Sequence, residues 1–242
     1  RACRQLDVDM RCKTTVIGLE PVPSHRRARP GLAPGSALAS WRVETDQGLL
    51  EASSVVIATG GLSVPKTGSD GFGLTMADHF GHQLEDTYPA LTPLLAEGAP
   101  HSELSGVSLP VSVEAPLTKG QFQTEGGFLF THRGYSGPAV LNVSHLTTLA
   151  RRAGESQPVR VRWTDLDAQA WDAELRQPGA GPVASVLRAH LPTRLADALL
   201  AEADVPMDRT RAELRRDERK RLVRALTAFE LPWTGYEGYK KA

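Results

Sequence analysis

The clearest hydrophobic pattern in the chain is the uncharged run Val55-Val56-Ile57-Ala58, in which no polar residue alternates with the apolar ones. Such a run predicts a strand buried on both faces, as in a parallel sheet covered by helices. It ends at Thr59-Gly60-Gly61, and a glycine-rich loop then leads to a helix predicted over about residues 70–80. Because ligands bind beyond the carboxyl ends of such strands, the stretch from Val55 to Gly73 predicts an anion-binding turn. An ordinary strand–turn–helix crossover fits the same spacing.

The hydrophobic pattern changes in the middle of the chain. Residues 88–162 carry short β-type segments separated by Gly and Pro, which predict an antiparallel β subdomain. Within them, Ser136-Gly137-Pro138 predicts the start of a helix over Ala139 to Leu149. Residues 164–231 carry apolar stripes at helical spacing and predict several helices. Nearer the amino end, residues 41–52 predict a strand, a turn and a returning strand.

The composition is that of a globular protein without a strong overall charge. Of the 242 residues, 40% are hydrophobic and 23% are charged, which is enough for a sizeable core in one or two domains. The 28 Lys and Arg balance the 28 Asp and Glu, so no net field attracts nucleic acid or a membrane. No apolar run approaches the roughly 18 residues of a membrane span. We therefore expect a cytoplasmic protein with neither a nucleic-acid nor a membrane partner.

Two basic segments qualify that expectation. His25-Arg26-Arg27-Ala28-Arg29 is one of them, and residues 209–224 are the other, with eight Arg or Lys against three acids. Either segment could bind nucleic acid. The interpretation we favour is a solvated loop for the first and the solvent-exposed face of an amphipathic helix for the second.

The sequence predicts no metal site. His79 and His82 are three residues apart, with no cysteine or carboxylate at a matching spacing, so we interpret them as a helix-end pair. Cys3 and Cys12 have neither the spacing of a CxxC redox pair nor that of a zinc site. They are interpreted as ordinary thiols in a reducing compartment.

Three segments resemble the YhiN/BaiN-like family of FAD-dependent oxidoreductases. Residues 58–69 read ATGGLSVPKTGS, which resembles the end of the FAD-binding strand in that family. Residues 130–141 read FTHRGYSGPAVL and resemble the family signature FTH-x-G-x-SGP-A-x-L, the most specific of the three matches. Residues 225–232 and 238–242 resemble a late segment of the family. The three segments occur in the family's order and span nearly the whole chain.

The resemblance implies an α/β fold with an insert. It implies a partial, Rossmann-like FAD-binding domain over residues 1–86, interrupted by a β-rich insert subdomain over residues 87–163 and a helical insert subdomain over residues 164–232. Residues 233–242 would be the strand that returns to the FAD-binding domain. The implied function is hydride transfer between NAD(P)H, FAD and an organic small-molecule substrate that the sequence does not identify.

The resemblance also implies site residues. Ser136 and Gly137 would face the substrate or the flavin. His132 is the leading candidate for proton transfer, because the unperturbed pKa of histidine is about 6.5, and Tyr135 is a weaker candidate. Structural alternatives stay open: His132 could bond a backbone carbonyl to hold the turn, and Tyr135 could simply pack. The residues expected to line the cofactor are Ala58, Thr59, Gly60, Gly61, Thr67, Gly68 and Gly71.

The chain departs from the family in three places. It lacks the amino-terminal Gly-x-Gly-x-x-Gly turn and the carboxyl-terminal segment that closes over the flavin, and Phe72 replaces the acid that many members carry. We therefore expect an internal fragment of a flavoprotein, which binds FAD weakly and is inactive on its own. The alternative is a truncated, non-catalytic module that interacts with another protein.

Overall fold

The structure is a computed structural model that describes residues 2–23, 38–179 and 181–242. The first basic segment, His25 to Arg29, lies outside the described residues. The chain divides into two compact units. The smaller unit consists of Arg1–Gly61 and Gly71–Leu84, and the larger unit consists of Leu62–Asp70 and Glu85–Ala242.

The smaller unit contains a three-stranded antiparallel sheet in the order β1-β2-β3. Strands β2 and β3 form the predicted hairpin. At its turn, the Thr45 hydroxyl accepts a hydrogen bond from the Gln47 N–H at 3.2 Å and donates one to the Gly48 carbonyl at 2.6 Å. The helix predicted over residues 70–80 is also confirmed. The elements are α1 (Ala2–Gln5), β1 (Val16–Pro23), β2 (Leu38–Thr45), β3 (Gly48–Ala52) and α2 (Phe72–His79).

The prediction of a buried strand over about residues 54–59 is wrong. These residues belong to no strand, and the Val56 and Ile57 side chains are 88% and 40% exposed. An apolar run indicates which side chains need cover, but a parallel strand also needs a neighbouring strand to pair with. The described residues supply no such neighbour, since every ladder among them is antiparallel. The Rossmann-like part of the predicted fold class is therefore not confirmed.

The larger unit contains a seven-stranded antiparallel sheet in the order β10-β4-β7-β6-β5-β8-β9. The predicted antiparallel sheet and the helices that follow it are both present. The strands are β4 (Leu94–Leu95), β5 (Ser108–Pro116), β6 (Gln121–Thr131), β7 (Gly134–Ser136), β8 (Arg160–Arg162), β9 (Phe229–Glu230) and β10 (Gly235–Tyr236). The helices are α3 (Pro138–Arg152), α4 (Ala168–Arg176), α5 (Val183–Arg188), α6 (Thr193–Glu202) and α7 (Arg216–Thr227).

Aromatic rings join the sheet to the helices in one core. Phe128 and Phe130 on β6 lie with ring centroids 5.2 Å and 5.7 Å from that of Trp163, and all three side chains are buried. The Trp163 indole N–H donates to the Ala225 carbonyl of α7 at 3.0 Å, which satisfies its one polar atom inside the core.

No helix among the described residues is long and apolar enough to cross a lipid bilayer.

Residues 233–242 contain strand β10 and a short 3-10 turn over Gly238–Lys240. Strand β10 pairs with β4 inside the seven-stranded sheet, with Tyr236 opposite Leu94. The backbone N–H of Val64 donates to the Tyr239 carbonyl at 2.9 Å. The role of this segment as a return strand, and the predicted domain boundaries, stay predictions.

Two glycines allow the backbone around the start of α3 to pack closely. Gly137 has a φ of 95° and a ψ of 159°, and a Cβ there would lie 2.5 Å from the Gly127 carbonyl oxygen. A Cβ at Gly134 would lie 2.2 Å from the Leu94 carbonyl oxygen. The Ser136-Gly137-Pro138 segment therefore needs its glycine for the chain to pass from β7 into α3.

We predict that Gly137→Ala lowers the free energy of unfolding by at least about 1 kcal/mol, because this backbone conformation is essentially restricted to glycine. Urea denaturation measures the loss. Gly181→Ala is the matched control, since a Cβ there meets no atom within 4 Å and its φ is not positive. Equal stability of the two variants would contradict the packing argument.

Candidate functional site

A cleft of about 600 Å³ opens beside the turn between β6 and β7 in the larger unit. Its volume lies within the roughly 300–1,000 Å³ of typical small-molecule sites. The walls come from the loop after β4, the β6–β7 turn, the end of α3 and strand β10. The lining residues are Leu95, Ala96, Glu97, Gly98, Ala99, His132, Arg133, Arg151, Thr234, Gly235 and Tyr236.

Two arginines stand at the rim of this cleft. Arg133 Nη1 lies 3.1 Å from Glu237 Oε1, so its charge is balanced. Arg151 Nη1 donates to the Thr234 carbonyl, and its guanidinium has no carboxylate within 4 Å in the described part of the chain. Arg151 is therefore without an ion pair among the described residues, and so is Glu97, the carboxylate that lines the same cleft.

His132 occupies the two-residue turn at the mouth of the cleft. Its side chain is exposed and makes no hydrogen bond or ion pair with a described residue. The turn is held instead by the Thr131 hydroxyl, which accepts from the Arg133 N–H at 3.3 Å. The alternative in which His132 bonds a backbone carbonyl is thus absent among the described residues. A catalytic role for His132 stays a prediction.

Tyr135 is buried in the core and does not line the cleft. Its hydroxyl lies 2.8 Å from His101 Nδ1, and His101 Nε2 lies 3.1 Å from Glu202 Oε1 on α6. Burial, with a smaller effect of the Glu202 charge, raises the pKa of Tyr135 well above its usual value. The hydroxyl therefore stays protonated, and because the Glu202 carboxylate can only accept, the His101 Nε2–H donates to it. These two hydrogen bonds link the β6–β7 hairpin to α6.

Sequence reasoning missed both His101 and Glu202. They stand 101 residues apart, in segments without a recognisable motif. Only the fold brings them together, so that His101 bonds the Tyr135 hydroxyl on one side and Glu202 on the other. The earlier candidate role of Tyr135 in proton transfer stays a prediction, but the contacts of its hydroxyl give it a structural role.

The residues predicted to bind the cofactor fall in both units. Thr67 and Gly68 belong to the larger unit, where the Thr67 hydroxyl donates to the Val64 carbonyl at 2.9 Å. Gly71, at the start of α2, is buried, whereas the four residues before the loop are exposed. The residues that belong to the smaller unit are Ala58, Thr59, Gly60, Gly61 and Gly71.

The exposed glycine segment fits the close approach of a cofactor. Gly60 has a φ of 76°, and a Cβ at Gly61 would meet no atom within 4 Å. A Cβ at Gly73, in the first turn of α2, would lie 2.6 Å from the Thr59 hydroxyl oxygen, so this segment packs directly against the start of the helix. Exposed main chain beside a helix start is suited to an anionic group such as a pyrophosphate.

Ser136 and Gly137 have structural surroundings. Ser136 is half-buried and pairs with Leu129 across the β6–β7 ladder. Gly137 packs against the main chain of Gly127. Their predicted contact with substrate or flavin stays a prediction.

In the larger unit an antiparallel sheet carries a set of helices, and a cleft of small-molecule size opens beside it. Residues 88–242 match the family model described as HI0933-like protein barrel and H2TH domain, and the chain belongs to this family. The family-level prediction is confirmed in this form, which is consistent with the resemblance to YhiN/BaiN-like proteins.

The chain is similar to several curated proteins, among them two ribosomal RNA dihydrouridine synthases and a bile acid reductase. The chain is 34% identical over 194 residues to the ribosomal RNA dihydrouridine synthase of Escherichia coli (strain K12), covering 78% of this chain and 46% of the relative. It is 30% identical over 199 residues to the protein of the same name from Haemophilus influenzae, with 79% and 46% covered. It is 26% identical over 206 residues to the 3-dehydro-bile acid delta(4,6)-reductase of Clostridium scindens, with 83% and 50% covered. The chain thus spans about half the length of the curated relatives it matches.

These relatives confirm one prediction and overturn another. They are oxidoreductase-type enzymes, so the prediction of an enzyme family of this class is confirmed. Two of them are named for ribosomal RNA, so the expectation of no nucleic-acid partner is wrong. That expectation rested on the net charge, which says nothing about how charges are segregated on the surface.

We predict that Tyr135→Phe lowers the free energy of unfolding by about 1–3 kcal/mol, because it leaves the buried His101 Nδ1 without its partner. Thermal or urea denaturation measures this loss. Tyr236→Phe is the matched control, since the Tyr236 hydroxyl makes no hydrogen bond with a described residue. If both variants were as stable as the parent protein, the Tyr135–His101 bond would not contribute to folding.

Proposed function

We propose that the whole protein containing this chain is a flavin-dependent reductase that adds hydrogen to the ring double bond of uridine in RNA. The observation that carries the proposal is the shared chemistry of the relatives. A dihydrouridine synthase and a delta(4,6)-reductase both reduce a carbon–carbon double bond in a ring. The two relatives of higher identity, 34% and 30%, are both named for ribosomal RNA, which favours RNA over a steroid. An RNA substrate of this kind would place the protein in the cytoplasm.

We assign FAD as the cofactor and NAD(P)H as the hydride source. A bound flavin supplies the redox chemistry, whereas the protein holds, tunes and shields it. Thr59, Gly60 and Gly61 would lie against the cofactor, because their exposed main chain permits close approach. In this proposal residues 1–86 belong to the flavin domain and residues 87–232 form the insert that binds the substrate. Residues 233–242 lead back to the flavin domain after β10, which is still paired in the sheet of the insert.

The cleft at the β6–β7 turn is the proposed substrate site. An enzyme that acts on a base within RNA must take that base out of the stack, and a small-molecule-sized cleft suits a single base. Tyr236 offers an aromatic ring on which a base can stack. Arg151 makes no ion pair with a described residue, and its guanidinium would stabilise negative charge on a carbonyl oxygen of the base.

His132 is the proposed proton donor. Reduction of a carbon–carbon double bond takes a proton as well as a hydride. An imidazole ring can give a proton to a reacting atom, and no described residue engages the ring of His132.

We predict that His132→Gln in the whole protein slows formation of dihydrouridine in transcribed ribosomal RNA by about 10²–10⁴-fold, the usual contribution of a general acid. The variant should also lose the limb of the pH–rate profile that a histidine produces. The loss of flavin absorbance on adding NADPH should be unchanged, because that half of the reaction does not need His132.

His145→Gln is the matched control. His145 is half-buried on α3, where its Nδ1 lies 2.8 Å from the Asn142 carbonyl, and it does not line the cleft. A His132→Gln enzyme with parental rate and pH profile would overturn the assignment of the proton donor.

We predict that Gly61→Val lowers the flavin content of the purified whole protein without lowering its melting temperature. The new side chain meets no protein atom within 4 Å of its Cβ, so only a bound cofactor would clash with it. Flavin absorbance per polypeptide measures the effect, and Gly181→Val serves as the control. Full flavin occupancy in Gly61→Val would contradict the proposed cofactor contact.

A further inference from the structure

Helix α7 and the loop before it carry two groups of basic residues that differ in their partners. In the first group, every guanidinium faces an acid. Arg219 Nε lies 2.8 Å from Asp172 Oδ1 on α4, and Arg221 Nη1 lies 3.3 Å from Asp217 Oδ2. These cations hold α7 against its neighbours and are neutralised in doing so.

Glu218 completes this first group. Its side chain is 0% exposed, and Oε1 accepts from Arg215 Nη2 at 2.8 Å and from Arg209 Nη2 at 3.0 Å. The hydrogen bonds from Arg215, followed by the charge of Arg209, lower the pKa of Glu218 to about 2. The carboxylate is therefore ionised at neutral pH and fixes the first turn of α7.

The second group consists of Arg216, Lys220 and Arg224, which we name the α7 stripe. All three side chains are exposed, and none makes a hydrogen bond or ion pair with a residue that the structure describes. Because they follow one another at intervals of four, they lie on one face of the helix, about 6 Å apart along its axis.

Two acids that lie beside Arg224, at the carboxyl end of the α7 stripe, each have another partner. Glu202 and Glu230 share a shallow depression with Arg224. Glu202 bonds His101 at 3.1 Å, and Glu230 lies 4.0 Å from Arg160. The outer face of α7 therefore presents a row of three cations that make no ion pair with a described residue.

Such a row is unfavourable in the isolated protein. Like charges four residues apart on a helix repel one another and destabilise it. The opposite face of α7 is locked into the core by Leu222 and Leu226, which are fully buried. The three charges are thus held on a rigid support, and a linear polyanion would relieve their repulsion.

We propose that the α7 stripe binds the phosphate backbone of RNA. The proposal rests on the proposed function, in which RNA is the substrate, and adds the surface that holds it. Contacts to phosphates position an RNA without reading its sequence, which complements a cleft that receives one base.

The test compares the whole protein with the triple variant Arg216→Gln/Lys220→Gln/Arg224→Gln. Binding of a fluorescein-labelled, single-stranded RNA of mixed sequence is measured at several salt concentrations between 50 and 200 mM. Each lost phosphate contact lowers the salt slope by about 0.7, so the triple variant should lose about 2 from the slope. At 0.1 M salt this corresponds to roughly 100-fold weaker binding.

The matched control removes three other exposed lysines, in Lys119→Gln/Lys240→Gln/Lys241→Gln. This variant has the same net charge as the triple variant but keeps the α7 stripe, so it should retain the parental salt slope. The stripe residues are exposed and unpaired, so their removal should leave the melting temperature equal or slightly higher. Lys220→Gln alone should lower the slope by about 0.7.

The outcomes separate this proposal from the one on which it rests. Parental affinity and slope in the stripe variant would overturn the α7 stripe and leave the RNA substrate standing. An equal loss in both triple variants would also overturn it, because net charge alone would then explain binding. Failure of the parent protein to bind RNA would overturn the stripe together with the RNA substrate, while flavin content would still report on the oxidoreductase.

Discussion

The indole of Trp163 holds the sheet and the helices of the larger unit in one core. Its ring packs against Phe128 and Phe130 on β6, and its N–H donates to the Ala225 carbonyl on α7 at 3.0 Å. The backbone N–H of Trp163 donates to Leu226 at 3.2 Å, so side chain and main chain contact the same helix. The cleft lies beside the turn that follows β6, and the α7 stripe lies on α7. This one residue therefore contacts the elements that carry both proposed RNA contacts.

Contacts on two sides hold the β6–β7 hairpin in place. Close packing of Gly134 on the Leu94 main chain leaves no room for a side chain beneath the turn. On the other side, Tyr135 reaches through His101 to Glu202 on α6. A turn fixed in this way can present an exposed His132 in a defined position, as a site residue requires.

The sequence predicted local structure well where one segment carried its own signal. Ser136-Gly137-Pro138 predicted the start of α3, and the apolar stripes predicted the later helices. It failed at Val55 to Ala58, because a parallel strand depends on a distant partner that an apolar run does not reveal. The expectation about nucleic acid failed for a different reason. Equal totals of acids and bases conceal that acids pair with one side of α7 and leave Arg216, Lys220 and Arg224 exposed.

For the candidate site, too, the sequence identified some residues and missed others. The motif of residues 130–141 identified the turn that carries His132, because the glycines and the proline of that motif can be recognised from the local sequence alone. It ranked His132 above Tyr135, but it did not reveal that Tyr135, three residues further along, is buried and bonded to His101. His101 was missed altogether, because the contact that gives it a role is made only in the folded chain.

The central claim is that the cleft beside His132 receives a base of the RNA. It is tested most directly by irradiating the whole protein in complex with an RNA that contains 4-thiouridine and mapping the crosslinked peptides by mass spectrometry. The account predicts adducts in the walls of the cleft, at residues 95–99, 132–133 or 234–236. Adducts confined to a second depression, around residues 163–166 and 190–192, would contradict it.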